Sequence, residues 1–447
     1  MLLAQKIRIF PTQEQSNVLW DLSEKCRLLY NFGLKERIDN WRENRDKPKE
    51  ARHNITYKEQ QNNLPSLKKK YPKYNWVFSK VLQMTLRKLD SAYKSFFIKW
   101  NNGDKTAHPP KFKGKKYFTT LCYNQSGFKL AKKKTHVQFS HNHPSKEPLI
   151  FRFMSPYRGT EKIKQIEITH FSNKWFICII YEFTPVNYTD NGLYQAIDLG
   201  ISNLVSAVNL HLKFIQIKNR RADLYWKKKV NEVQSKRDHC KKYSHRWHKY
   251  NEKLSKMKRR CANQMRDYQH KISKKIVSNT KANTIIIGDL SVKKMAKRKK
   301  GTGNATKTKR NRTLNYSIHN TGSLGRFAEF LTYKARKIGK RVIRIDESYT
   351  SQNCFICGRK KKRALSERIM ICDCGNQLDR DLNSAVNILE RFIRKKHKYS
   401  FLSHQPSLTE ESFYKRLDLL RNTALSSLYA GDSGLVVKLK NIETITF

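Results

Sequence analysis

Acidic side chains are scarce in this 447-residue chain: 36 Asp and Glu stand against 93 Lys and Arg, a formal charge of +57. A compact fold repels itself at such a charge unless a polyanion offsets it, so nucleic acid is the expected partner. Long apolar runs are missing too. The best of them, Trp175-Phe-Ile-Cys-Ile-Ile-Tyr181, falls well short of the ~20 residues of a spanning helix, which argues against a membrane partner. The opening segment MLLAQKIRIFPTQEQ lacks a charged n-region, a long apolar core and a small-residue cleavage site. It does not read as a secretory signal, so the chain is expected inside the cell, in the cytoplasm, nucleoid or nucleus. Disulfides are disfavoured in that reducing setting, and closely spaced pairs among the nine cysteines point to metal instead.

What is present is a foldable sequence. Aromatic residues make up 11% of it beside 29% charged residues, which excludes an unfolded basic tail. The length predicts two or three domains, and no internal repeat is visible. Residues 1–190 read as a β-domain that opens on the alternating strand Lys6–Phe10. A helical insert over about 12–105 interrupts it, with one helix from Thr12 as N-cap through Leu34 and another from Ser79 to Trp100. Strands follow near 148–153, 163–169 and 174–183. From Leu193 the pattern becomes strand, hairpin partner at 203–208, further strand at 213–217, polar helices over 222–280 and the strand Thr284–Ile287. A basic loop at 297–312, a helix at 323–338, the strand Arg341–Ile345 and a helix from Leu382 to about Arg394 complete it. That β-β-β-α-β-α-β-α order predicts an α/β, RNase H-like layer over 191–353 and 375–396.

Cys354-Phe-Ile-Cys357 and Cys372-Asp-Cys374, fourteen residues apart, have the spacing of two knuckles of a zinc ribbon inserted over 354–374. All four ligands are cysteine, so no coordination position is left open and the zinc is expected to be structural. Cys26, Cys122, Cys178, Cys240 and Cys261 have no such spacing and read as core thiols.

Among the few acids, Asp198, Glu347 and Asp381 stand where strands end, the usual cradle for Mg²⁺. Two such ions about 4 Å apart would activate water and stabilise the leaving oxygen of a phosphodiester. Asp346 and Asp379 read as turn or capping residues.

Six segments then fall in a telling order around the cysteines: Phe10-Pro-Thr-Gln-Glu-Gln15, Pro109-Pro-Lys-Phe-Lys-Gly114, Ala196-Ile-Asp-Leu-Gly200, Leu331-Thr-Tyr-Lys-Ala335, Tyr349-Thr-Ser-Gln-Asn-Cys354 and Asp379-Arg-Asp-Leu-Asn-Ser-Ala385. Over residues 3–393 the chain resembles the TnpB family of transposon-encoded RNA-guided nucleases, related to type V CRISPR effectors and to Fanzor proteins. The resemblance implies a RuvC-like nuclease domain with an inserted zinc finger, preceded by a wedge-like β-barrel with a helical recognition insert. It also implies a guide RNA from the transposon end, a double-stranded DNA target with a short adjacent motif, and Mg²⁺-dependent cleavage. Sequence would be read by base pairing while the protein reads shape and backbone.

One position departs from the family. Its members carry a glutamate before Asp-Leu in the second RuvC motif, where Thr284-Ile-Ile-Ile-Gly-Asp-Leu290 has Gly288. Asp289 is a poor substitute, because neighbouring strand side chains point to opposite faces. Either the chain is a nuclease-dead RNA-guided binder of the repressor type, or Glu347 supplies the missing carboxylate, as in the rearranged sites of Fanzors and a subset of the family. Intact Asp198 and Asp381 favour the active nuclease, and a strand-transfer transposase fits least.

Basic runs at 68–70, 111–116, 132–134, 227–229 and 297–300 supply expected phosphate contacts, with Lys111, Lys113, Lys227 and Lys228 among them. Gln83 and Arg87, one helical turn apart, are candidate readers of the adjacent duplex motif. Tyr30, Tyr93, Phe96, Phe97 and Trp100 have helical spacing and are assigned to the core before base stacking. Residues 397–447 hold six basic and five acidic residues, so the charge belongs to the body of the chain; no role for this tail is legible.

Overall fold

The computed structural model describes residues 1–447 apart from 156, 158, 160–161, 290–323, 363, 365–366, 400–409, 420–441 and 446–447. It divides into two compact units, Met1–Thr184 and Pro185–Phe447. No helix among the described residues is long and apolar enough to cross a membrane.

In the first unit, β1 (Leu2–Ile9) leads into α1 (Gln13–Arg45). Thr12 Oγ1 accepts the Gln15 amide at 3.2 Å while Gln15 Oε1 accepts the Thr12 amide at 3.2 Å, a reciprocal capping box that fixes the helix start. The helix runs eleven residues past Leu34. Its polar extension is held by α4 (Ser79–Asn101), where Asp90 accepts from Arg37 at 3.1 Å and the Arg37 guanidinium lies 5.5 Å from the Tyr93 ring centre. Two short helices, α2 (Tyr57–Asn62) and α3 (Leu64–Lys70), lie between them in sequence.

The strands β2 (Leu121–Asn124), β3 (Phe128–Leu130), β4 (His136–Phe139), β5 (Leu149–Arg152), β6 (Ile163–Phe171) and β7 (Lys174–Glu182) make two antiparallel sheets with β1, ordered β1-β7-β6-β2 and β3-β4-β5. β2, β3 and β4 have three or four residues each, too short for periodicity to mark them. Both sheets share one core with α1 and α4, including Leu19, Leu22, Leu82, Tyr123, Phe151 and Ile177.

The second unit is an α/β layer. β8 (Tyr194–Asp198), β9 (Asn203–Asn209) and β10 (Phe214–Lys218) form an antiparallel meander. After the helical pair α5 (Ala222–Asp238) and α6 (His245–Asn279), β11 (Thr284–Gly288) pairs parallel to β8. Then α7 (Leu324–Lys337) leads to β12 (Arg341–Ile345), parallel to β11. A small hairpin, β13 (Ile369–Ile371) and β14 (Gln377–Asp379), precedes α8 (Arg380–Tyr399). β11 is buried along its whole length, as a parallel strand covered on both faces must be. One face packs on Phe327, Leu331, Ile272 and Val277 of α6 and α7, the other on Leu382, Val386 and Leu389 of α8.

The tail has a structural role. β15 (Ile442–Ile445) adds in parallel to β10, completing the order β12-β11-β8-β9-β10-β15. Within helical residues 410–419, Phe413 and Leu417 are fully buried beside Phe392 and Ile393. Buried Glu410 accepts from Lys396 at 2.8 Å, and Lys396 also reaches Tyr194 Oη at 2.6 Å.

Candidate active site and metal centre

Strand register explains how distant acids meet. Ile197 pairs with Ile287, and Gly288 with Ile345. Asp198, Gly288 and Ile345 therefore end three adjacent parallel strands at one level, the carboxyl edge where α/β sheets place their sites. Glu347 lies two residues beyond that edge, and Asp381 stands in the first turn of α8.

Gly288 and Glu347 are complementary. A Cβ on Gly288 would collide with Glu347 Oε2 and lie 2.9 Å from its carboxyl carbon. The Glu347 carboxylate thus fills the space where a side chain at 288 would begin. Gly200 has a similar part at Asp381: its absent Cβ would stand 2.6 Å from Asn203 O and 3.6 Å from Asp381 Oδ2.

These acids repel one another. Burial, with Asp381 and Glu347 nearby, pushes the Asp198 carboxyl up to about 8. Burial, with Asp289 and Asp346, pushes Glu347 up to about 7. Bound cations would offset the rise at Asp198 and Glu347, and the all-oxygen donor set fits oxygen-seeking Mg²⁺. Buried Asp381 is flanked by Arg380 at 3.7 Å and Arg368 at 3.8 Å, and Asn203 Nδ2 donates to it at 3.5 Å. Asp289, beside Glu347, remains part of its electrostatic surroundings, though its own side chain is exposed.

Residues to which the sequence assigns no role stand around the set. Ser384 stands beside Asp198 and works against the rise that burial imposes on its carboxyl, and Ser384 Oγ lies 2.8 Å from Thr350 Oγ1. Thr350 Oγ1 donates to Glu347 O at 2.9 Å, and the same carbonyl accepts the Thr350 amide at 3.2 Å. The two bland readings fit the geometry. Asp379 Oδ1 caps α8, accepting the Asp381 and Leu382 amides at 2.9 and 3.2 Å, and Asp346 Oδ1 accepts the Ser348 amide and hydroxyl in a turn.

The cysteines converge. Sγ atoms of Cys354 and Cys374 lie 3.6 Å apart, as do those of Cys357 and Cys372, and all four lie within 4.8 Å. A tetrahedron with ~2.3 Å metal–sulfur bonds has sulfurs about 3.8 Å apart, so the set fits zinc. Gly358 (φ 71°) and Gly375 (φ 80°) close the two knuckles in the left-handed region, where a side chain would strain. Burial pushes the Cys354 and Cys374 thiols up, whereas at Cys357 burial is outweighed by hydrogen bonds, led by the Arg359 amide, that pull the thiol down. The β13–β14 hairpin carries this element five residues past Cys374, to Asp379. Among the described residues, the four cysteines alone gather three or more metal-ligating atoms so closely; the carboxylates are spread more widely.

The predicted nucleic-acid contacts divide. Arg87, Lys111 and Lys228 are exposed, with Gln83 and Lys227 half-buried. Lys113 is a correction: its ammonium sits 3.7 Å from the Tyr30 ring centre, and burial lowers it to about 8. Its carbonyl accepts from Arg27 at 2.8 Å and Asn31 at 3.0 Å. This lysine pins its segment to α1 rather than facing phosphate. Phe97 and Trp100 are corrections in the other direction, being 53% and 41% exposed, whereas Tyr30 is buried as expected. Among the core-thiol assignments, Cys26 and Cys122 are buried, while Cys178, Cys240 and Cys261 are only half-buried. The runs at 297–300 and 297–312 lie outside the described residues.

Three family models match: "Probable transposase" over 179–299, "Cas12f1-like, TNB domain" over 325–388 and "Helix-turn-helix domain" over 1–46. Residues 1–46 form a strand and one long helix rather than two helices. The chain is 26% identical over 393 residues to a Streptomyces pristinaespiralis protein named "Putative RNA-guided DNA endonuclease", covering 86% of this chain and 88% of that one. It is 31% identical over 202 residues to a TnpB-like protein of Methanocaldococcus jannaschii, covering 44% of this chain and 67% of that one. A solved Cas12f1–sgRNA–target DNA complex contains a similar chain, with TM-score 0.55 and 12% identity over 87% of this chain and 98% of that one. At that identity the likeness speaks for the fold alone.

Proposed function

The chain belongs to the TnpB family, and from that premise we propose that it is an RNA-guided DNA endonuclease whose nuclease carboxylates are Asp198, Glu347 and Asp381. The observation that carries the reading is the fit of Glu347 over Gly288. The carboxylate missing from position 288 is matched by one arriving from the next strand, with its oxygen over the vacated site. A dead binder would have no need of that exchange.

The relatives supply the partners: a guide RNA and double-stranded target DNA, as in the names of the endonucleases and of the Cas12f1 complex. The two antiparallel sheets of the first unit are the counterpart of the family's wedge barrel, with α1 to α4 as its recognition insert. Gln83 and Arg87 on α4 would read the adjacent duplex motif, and Lys111, Lys227 and Lys228 would meet phosphates. The cysteines would hold a structural zinc.

Asp198, Glu347 and Asp381 would hold two Mg²⁺, which supply an activated water and stabilise the leaving oxygen. The residues' own work is positional. The strand ends fix Asp198, the Gly288 gap admits Glu347, and the α8 cap fixes Asp381. Arg368 and Arg380, beside Asp381, would offer positive charge to a phosphodiester.

Glu347→Ala tests the assignment. Cleavage of a matched target should vanish while guide-dependent DNA binding persists in a gel-shift assay. Retained cleavage removes Glu347 from the site, and a wild type that binds but never nicks with Mg²⁺ establishes the binder reading instead.

A further inference from the structure

The cysteine centre and the loop that carries Glu347 are joined by a run of buried hydrogen bonds. Asn376 Nδ2 donates to Cys354 Sγ at 3.2 Å and lies 3.3 Å from Asn383 Oδ1, which also accepts the Phe355 amide at 3.1 Å. Asn383 Nδ2 donates to Asn353 O at 2.8 Å and lies 3.4 Å from Thr350 O. One turn along α8, Asn387 Nδ2 donates to the same two carbonyls at 2.8 Å each. The loop so clasped bears Thr350, whose hydroxyl donates to Glu347 O at 2.9 Å and lies 2.8 Å from Ser384 Oγ, beside Asp198; three residues earlier it bears Glu347 itself. Asn376, Asn383, Ser384 and Thr350 are all at most 3% exposed.

Buried amides are costly unless satisfied, and a satisfied network admits one arrangement. Here that arrangement aims two carboxylates. Asn383 is central, because one side chain holds both the knuckle amide of Phe355 and the carbonyls of the loop. Moving the knuckle would move the loop.

We propose that Asn383, Thr350 and Ser384 are positioning residues that tie the aim of Asp198 and Glu347 to the four-cysteine centre, so that emptying this centre loosens divalent-metal binding at the carboxylates. The inference rests on the nuclease reading above for the identity of the metal-holding carboxylates. The coupling itself concerns only the loop and can be measured without cleavage.

The test uses the full chain bound to its guide RNA. Mn²⁺ binding is followed by electron paramagnetic resonance, with Asp198→Ala as the blank for sites on the RNA. Hydrogen exchange at the amides of 346–350 is read in parallel. Asn383→Ala should keep zinc and DNA binding, lose about tenfold in Mn²⁺ affinity and exchange faster over 346–350. Cys354→Ser, which opens the centre, should give the same two changes. Ser384→Ala should weaken Mn²⁺ binding with zinc untouched, and Ser384→Thr should restore it, which a merely structural role would not require. Ser384→Ala also decides the matter if Asn383→Ala fails to fold. Wild-type Mn²⁺ affinity and exchange in Ser384→Ala and Cys354→Ser overturn the proposal. If wild type and Asp198→Ala bind Mn²⁺ alike, the metal-holding reading fails instead, and unchanged exchange over 346–350 in Cys354→Ser then overturns the coupling separately.

Discussion

The second unit carries two sets of metal-ligating side chains, and they are built in opposite ways. The cysteines come from two short turns twenty-one positions from end to end, closed by left-handed glycines, with sulfurs already near tetrahedral spacing. The carboxylates come from β8, from the loop after β12 and from α8, 184 positions from end to end, and they come near one another only because sheet register aligns the strand ends. One set is a closed cage that leaves no position for substrate. The other is open and self-repelling, with Asp198 and Glu347 pushed well above ordinary carboxylates. A structural metal wants the first arrangement. A reacting metal wants the second, since its ligands must leave room for phosphate and water.

The largest effects should separate the two sets by kind. Asp198→Ala is expected to lower cleavage by at least about 10³-fold. Above about pH 8 it should leave the melting temperature of the metal-free protein unchanged or higher, because a repelling charge is gone. Cys354→Ser should lower the melting temperature and release zinc, since closed zinc sites contribute folding energy directly. Calorimetry beside a cleavage assay checks both. If Asp198→Ala melts earlier as Cys354→Ser does, the carboxylates are structural and the contrast collapses.

Gly288→Ala probes how the open set is assembled. One methyl group cannot coexist with Glu347 in its observed position, so the carboxylate must swing away. Cleavage should fall by about 10²-fold, the size of effect that an ångström of misplacement produces. The reciprocal pair Gly288→Glu with Glu347→Gly should recover part of the loss, because it returns a carboxylate to the same space from the other strand. Full activity in Gly288→Ala would mean that Glu347 acts from elsewhere.

Much of this contrast is legible in the order of residues alone. Cysteine spacing is local chemistry and names the cage outright, and acids at element boundaries in an acid-poor chain single out Asp198, which does end a strand, and Asp381, which opens a helix instead. Glu347 needs the family's pattern as well, because only the gap at Gly288 makes an ordinary loop glutamate conspicuous. Ser384, Thr350 and Asn383 lie inside two of the segments that carry the family resemblance, but their residue types name no role, and only burial plus register gives these three a task. Lys113 defies its basic run because such a run has no inside or outside until Tyr30 turns one lysine inward. On α4, periodicity finds the apolar face but does not say how far its cover extends; Leu82, Leu86 and Leu89 are buried, while Phe97 and Trp100 are exposed. The tail is opaque for a related reason. Its buried residues, Phe413, Leu417 and Glu410, answer to partners well outside their own helix, among them Lys396 and Phe392.

The smallest effect tests the self-repulsion directly, in the absence of divalent metal. The ordinary values for Asp198 and Glu347 are 3.8 and 4.5, and the fold raises them to about 8 and about 7. A raised carboxyl favours the folded state while it is protonated, so its contribution is complete below about pH 4 and is lost as pH climbs through 7 to 8. Global charge also changes over that range, so the informative quantity is the difference from Asp198→Asn, which keeps shape without ionising. Between pH 5 and pH 9 the wild type should lose about 2–4 °C more in melting temperature than the variant, the shift expected for roughly 1 kcal/mol in a domain of this size. Adding Mg²⁺ at pH 9 should close that gap, because bound cations replace the protons as the counter-charge. Parallel curves for the two proteins, with or without Mg²⁺, would show that the carboxylates ionise independently, and the open set would then lack the strain that distinguishes it from the cysteine cage.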